Sequence, residues 1–257
     1  MAVVRTTLPG TRFGAGLRGR RQLEDFFARE VASRRSAATS DLFSRLCQTE
    51  SDDGERFSDD EIVDHMIFVM MEAHDTTTSS LSSICYLLAV HPEWQARVRA
   101  ELQAVPEPLA YERLAELPLT GYVLREALRL YPPLPSMRRR TVRDCEFDGH
   151  RLPADTTVNI FTHFTHHMPE YRHEPASFDP ERFARNEHRR HPFQFIPFGA
   201  GAHTCIGMHF AELQVKAVLH VLLNRYRLSV SDGYRMPVTL MPINKPRDGL
   251  PLTLTPL

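Results

Sequence analysis

Apolar positions recur at helical spacing through the first half of the chain. Ser58 and Glu61 form a capping-box pair, and Ile62, Met66, Val69 and Met70 follow at intervals of three to four residues. This pattern predicts a long, mostly buried helix from Asp59 to about Ala89. Leu23 to Arg35 and Ser40 to Gln48 have helical composition, and the polar run Thr49 to Arg56 sets them apart from the long helix. Pro92, Glu93 and Trp94 open a further helix through Gln103. Leu119 to Tyr131 predicts another, ended by Pro132 and Pro133, which fix φ and remove donors. Thr6 to Arg21 is rich in Gly, Arg and turn formers and reads as an irregular interior segment.

The second half changes rhythm. Between Arg143 and Asn159, short apolar runs are broken by Asp148-Gly149 and Pro153-Ala154-Asp155, which suits short strands and tight turns. Tyr171 to Pro192 is dense in Pro, His and Arg without a period and reads as an irregular loop. A final helix is expected after Cys205, with Phe210, Leu213, Val218 and Val221 as its apolar face up to Leu223. The fold class is mainly α with a small β component.

Composition narrows the function more than the fold. The 257 residues suffice for one large domain or two small ones, and a hydrophobic content of 42% is ordinary for a globular core. With 31 basic and 32 acidic residues the formal charge is -1, so there is no global field to attract nucleic acid or an anionic membrane. No apolar run approaches the roughly 20 residues a membrane span needs, and Met1 to Arg5 does not open a secretory signal, which predicts a soluble, cytoplasmic chain. Cys47, Cys85, Cys145 and Cys205 have neither a CxxC pair nor regular spacing, which argues against a disulfide framework or a tetrahedral zinc site. His163, His166, His167 and His173 read as surface or hydrogen-bonding residues before they read as a metal site, and Trp94 and Tyr86 as helix-packing residues.

Phe198-Gly199-Ala200-Gly201-Ala202-His203-Thr204-Cys205-Ile206-Gly207 places a cysteine in a glycine-rich turn before a helix. Glycine permits the tight bend, and the following amides with the positive helix end favour a thiolate able to bind a metal. Read alone, a free loop cysteine competes with that. Likewise Glu126 and Arg129, three apart on a helix, alone suggest a solvated pair, and Ala73-His74-Asp75-Thr76-Thr77 an exposed polar stripe beginning at Glu72.

Together and in this order, these segments resemble the cytochrome P-450 family, from roughly Leu8 to the carboxyl terminus: an F-x-x-G-x-x-x-C-x-G loop, an E-x-x-R helix followed by Tyr131-Pro132-Pro133, the segment Pro180-Glu181-Arg182-Phe183, and an acid–alcohol pair in the long helix. The resemblance implies the carboxyl-terminal part of a haem-thiolate monooxygenase, an iron-binding oxidoreductase whose cofactor is haem b. It makes Cys205 the iron ligand, with Phe198 beside the sulfur, Gly201 shaping the loop, and His203 and Arg139 (or its near-equal rival Arg138) toward the propionates. Asp75 and Thr76 would handle protons for bound dioxygen, Ala73 would border the haem, and Glu126, Arg129 and Arg182 would form a buried network holding the loop.

By the same resemblance, Phe68, Met71, Leu134 to Met137 and Leu240 to Ile243 line the substrate side and imply a hydrophobic molecule such as a terpenoid, lipid or sterol. Electrons would come from a ferredoxin or flavodoxin. The arginines at 172, 182, 185, 189 and 190 offer it a docking surface or else form a solvated loop. The chain divides as a single incomplete domain: lead-in helices (1–57), the long distal helix and E-x-x-R helix (58–142), small sheet and meander loop (143–197), then thiolate loop, final helix and terminal strands (198–257). Two alternatives stand beside the monooxygenase: a remnant that binds haem weakly or not at all, and a haem-thiolate enzyme driven by peroxide or performing a rearrangement.

Overall fold

The computed structural model describes residues 6–8 and 10–257. Two compact units divide at His74, and helix α3 (Asp59–Val90) runs through the division. The first unit holds α1 (Arg12–Arg35), α2 (Leu42–Gln48) and the start of α3. Its core is Phe27, Val31, Phe43, Cys47, Ile62, Val63 and Ile67. The capping box opens α3 as its sequence predicts: Glu61 N donates to Ser58 Oγ at 3.3 Å, and Ser58 N to Glu61 Oε2 at 2.8 Å. The turn-rich reading of Thr6 to Arg21 is corrected from Arg12 on. Thr11 Oγ1 accepts from Gly14 N at 3.1 Å and caps a helix that tolerates three glycines.

The second unit adds α4 (Pro92–Gln103), α5 (Pro118–Leu130), α6 (Thr162–His166), α7 (Glu181–Ala184) and α8 (Met208–Arg225). Among the described residues its strands form four antiparallel pairs. β1 (Met137–Arg140) pairs with β4 (Thr157–Ile160), and β2 (Cys145–Phe147) with β3 (His150–Leu152). β5 (Tyr226–Ser229) pairs with β8 (Thr253–Pro256), and β6 (Val238–Thr239) with β7 (Lys245–Pro246). Asp148 and Gly149, both at positive φ, make the β2–β3 turn that the Asp-Gly pair predicts. The sheet region begins earlier than expected, with β1, and α6 follows it where no helix is legible.

Ile84, Leu88, Val98, Leu102, Val123, Leu219 and Leu223 anchor the core between α3, α4, α5 and α8. Trp94 and Tyr86 belong to it as helix-packing residues. The predicted face of α8 is largely the wrong one: Phe210, Val218 and Val221 are exposed and Leu213 half-buried, while Val215, Lys216, Leu219, His220 and Leu223 are buried. Both polar members of the buried face are satisfied: Lys216 Nζ donates to Leu114 O at 2.8 Å, and His220 Nε2 lies 2.9 Å from Val105 O.

Candidate functional site

Glu126 and Arg129 lie one turn apart near the carboxyl end of α5, and Arg182 lies in the short helix α7. All three are buried, and one carboxylate joins them. Arg129 Nη2 and Nε donate to Glu126 Oε1 and Oε2 at 2.7 and 2.8 Å, and Arg182 Nε donates to Oε1 at 3.1 Å. The Asp179 amide adds a fourth bond at 3.0 Å. Arg129 spends its remaining donors on carbonyls: Nη1 on His166 O (3.2 Å) and Pro175 O (2.6 Å), Nη2 on Ser177 O (3.0 Å). All five of its N–H groups are engaged, which is what a guanidinium needs where no water reaches it.

Two residues extend the network beyond what the sequence suggests. His166 is fully buried. Its Nε2 accepts from Ile196 N at 3.1 Å, and burial first, then Arg172, His167 and Arg129, push its pKa down to about 3, so the ring is neutral. Arg172 is also buried, with Nη1 on Thr165 O at 3.2 Å and Nη2 on Gln194 O at 2.5 Å, and burial lowers its pKa to about 10. Only the density of His and Arg between 163 and 173 hinted at either. Of the four clustered histidines, His166 and His167 engage backbone atoms with a ring nitrogen, His167 Nδ1 lying 2.8 Å from His163 O.

Ile196 and Pro197 lead into the Cys205 loop. Gly199 (φ 75°) and Gly201 (φ 66°) turn it, and Cys205 N closes it by donating to Phe198 O at 2.8 Å. Gly199 is the more constrained: a Cβ there would stand 3.2 Å from His203 O and 3.6 Å from Met137 Sδ, whereas one on Gly201 would touch nothing within 4 Å. Phe198 packs against the second unit's core. Cys205 is exposed, and its Sγ lies 3.8 Å from the point where a Cβ on Gly207, the residue capping α8, would stand. Cys47 and Cys85 are buried, and burial raises the Cys85 thiol to about 11. His203 is exposed in the short 3₁₀ turn Gly201–His203.

Strand alternation separates the two rival arginines. Met137 and Arg139 are the half-buried positions of β1, Arg138 and Arg140 the exposed ones, and Met137 reaches Gly199 of the loop. Arg140 pairs with Asp155, whereas Arg138 and Arg139 have no ion pair among the described residues.

Asp75 and Thr76 lie in an uninterrupted stretch of α3, Asp75 exposed and Thr76 half-buried; Ala73 is half-buried and Glu72 exposed. One turn on, the buried Ser79 hydroxyl donates to Asn244 O, and Asn244 N donates to Pro133 O at 2.9 Å. This brings the segments flanking Leu134 and Met241, both exposed, beside α3. The arginine run is not one surface: Arg172 and Arg182 are buried, Arg185 is held by Asp179 and Glu187, and only Arg189 and Arg190 are exposed outside that ion-pair cluster. No described helix is long and apolar enough to cross a membrane.

The family model of cytochrome P450 matches residues 18–250. Cytochrome P450 136 of Mycobacterium tuberculosis is 48% identical over 99% of this chain and 53% of its own length. Cytochrome P450 4A14 of Rattus norvegicus is 35% identical over 89% of the chain and 46% of its own length. A solved structure of retinoic acid bound cyanobacterial CYP120A1 superposes with a TM-score of 0.89 at 31% identity, over 99% of this chain and 60% of that one. The chain thus spans about half the length of the curated relatives it matches.

Proposed function

The chain belongs to the cytochrome P450 family, whose enzymes bind haem b, and from that premise we propose that it carries the thiolate-ligand portion of a monooxygenase acting on a hydrophobic organic molecule. The observation that carries the reading is the exposed Cys205 just ahead of α8, in a loop whose entering segment is tied through His166 to a buried ionic brace. The donor set suits the cofactor. A lone exposed thiol in a glycine-turned loop offers one soft ligand and leaves no room for a multidentate protein cage. Arg139, on the loop-facing side of β1 and without an ion pair among the described residues, and the exposed His203 suit carboxylates at the group's rim.

When bound, haem supplies the activation of dioxygen and the oxidation itself. The chain's own part is narrower. Cys205 presents its exposed sulfur just ahead of α8 as the one soft ligand the loop offers. Phe198 anchors the loop in the core, and Gly201 completes its turn. Asp75 and Thr76 hold and pass protons from α3, with Ala73 the small neighbour just before them. Leu134 and Met241 supply apolar contact for the substrate. The retinoic acid bound to the cyanobacterial relative is largely apolar and supports that class. Electrons would enter from a ferredoxin or flavodoxin, with Arg189 and Arg190 the basic residues free to meet it.

The test is the carbon monoxide difference spectrum of the reduced, haem-supplemented chain. A thiolate-type band in the parent, lost in Cys205→Ser, is the expected result. A spectrum identical in parent and variant overturns the assignment of Cys205.

A further inference from the structure

The Cys205 loop is entered from one side by residues 194–198, and the Glu126 network does not touch that segment directly. Its nearest bonds end on the carbonyls of His166, Pro175 and Ser177. Beside the Arg182–Glu187 pair, whose Glu187 carbonyl accepts from the Gln194 side chain, two other side chains bond the backbone of the entering segment itself. His166 accepts from the Ile196 amide with its ring while its own carbonyl receives Arg129. Arg172 spans Thr165 O and Gln194 O. Both are buried, and both join α6 to the entering segment two residues apart, at Gln194 and Ile196.

We propose that His166 and Arg172 form a two-point clamp that positions Cys205 by fixing the segment entering its loop. The clamp rests on reading Cys205 as the functional thiol, but its mechanical content does not depend on what the sulfur binds. Arg172 carries a charge into a buried place already containing Arg129 and Arg182, an arrangement that costs desolvation and like-charge repulsion. Its two carbonyl bonds offset that cost, and both lie on the path to the loop. His166 likewise accepts one backbone hydrogen with Nε2, the role only a neutral ring can fill, since an imidazolium has no acceptor.

The beyond-Ile196 bonds state what the clamp should control. Gly199 N donates to Ile196 O at 3.1 Å, and Cys205 N to Phe198 O at 2.8 Å, so loss of order at Ile196 passes to both. Hydrogen exchange on the haem-free chain reads this directly. His166→Leu keeps bulk and loses the acceptor, so the Ile196, Gly199 and Cys205 amides should exchange about tenfold faster. His166→Gln restores an acceptor and should return most of that protection. Arg172→Met, which keeps length without donors, should loosen the same amides. Unchanged exchange in His166→Leu overturns the clamp, as does Gln harming it as much as Leu, which would mark a role in packing alone. In haem-supplemented samples the thiolate-type band should decline in the order parent, His166→Gln, His166→Leu. Cys205→Ser tests the ligand separately, so failure of that variant to lose the band overturns the ligand assignment and leaves the exchange result standing.

Discussion

Glu126 and Cys205 are the two side chains on which the proposed site turns, and their surroundings differ in kind. The Glu126 carboxylate is fully buried and accepts from Arg129 twice, from Arg182 and from the Asp179 amide. Cys205 is exposed, in a loop closed by single backbone bonds and turned by two glycines at positive φ. A residue proposed to bind a cofactor must remain accessible and cannot be enclosed by its own contacts. Rigidity is supplied next door, where charge can be buried and fully hydrogen-bonded, and transmitted along the backbone.

The sharpest way to break this contrast is to remove the carboxylate's charge. Glu126→Gln leaves Arg129 and Arg182 buried without their shared counterion, and should destabilise the chain by about 3–5 kcal/mol. A fall in urea midpoint at unchanged slope measures it. A loss under 1 kcal/mol would mean that the backbone carbonyls around Arg129 suffice and that the brace is not electrostatic.

Acid should act at His166, between the brace and the loop. The folded pKa of His166, about 3, lies below its unfolded value near 6.5, so between those limits the unfolded chain binds a proton that the folded chain refuses. Stability is therefore full above pH 6.5 and declines as pH falls, by about 1.4 kcal/mol per unit for this one residue, or about 2 kcal/mol at pH 5. His167, lowered to about 4 chiefly by burial, acts in the same direction. Urea midpoints of parent and His166→Gln between pH 7 and 5 check this, and parallel lines would remove His166 from the account.

Within the loop the two glycines should differ. Gly199→Ala meets both the left-handed backbone penalty and the crowding against His203 O, for about 2 kcal/mol. Gly201→Ala meets the backbone penalty in open space, for about 1 kcal/mol. Equal losses would show that the loop relaxes around Gly199.

What the sequence reveals follows the same division. Glu126, Arg129 and Arg182 are legible only through the family resemblance, since a carboxylate and guanidinium one turn apart suggest by themselves a solvated surface pair. The capping box of α3 and the Asp-Gly turn are legible because each is local. His166 and Arg172 are not, because their hold on the entering segment lies in bonds to backbone atoms 30 and 22 residues distant, which leave no signature in side-chain type. Gly199 is hidden for a similar reason: both loop glycines turn the chain, and only the approach of His203 O ranks them.

The α8 error has its own physical cause and yields the smallest effect. A hydropathy reading sends Lys216 and His220 to solvent and turns Phe210, Val218 and Val221 inward. In the structure Lys216 and His220 satisfy carbonyls of the Leu114 and Val105 segments inside the fold, so the helix is rotated from the face its apolar residues suggest. Val218 is 43% exposed and Leu219 fully buried. Val218→Ser removes little contact and leaves no cavity, so its urea midpoint should stay within about 0.5 kcal/mol of the parent, the level of an ordinary surface change. A larger loss would mean that this face of α8 is covered in solution, and sedimentation of the parent would then show association that Val218→Ser weakens.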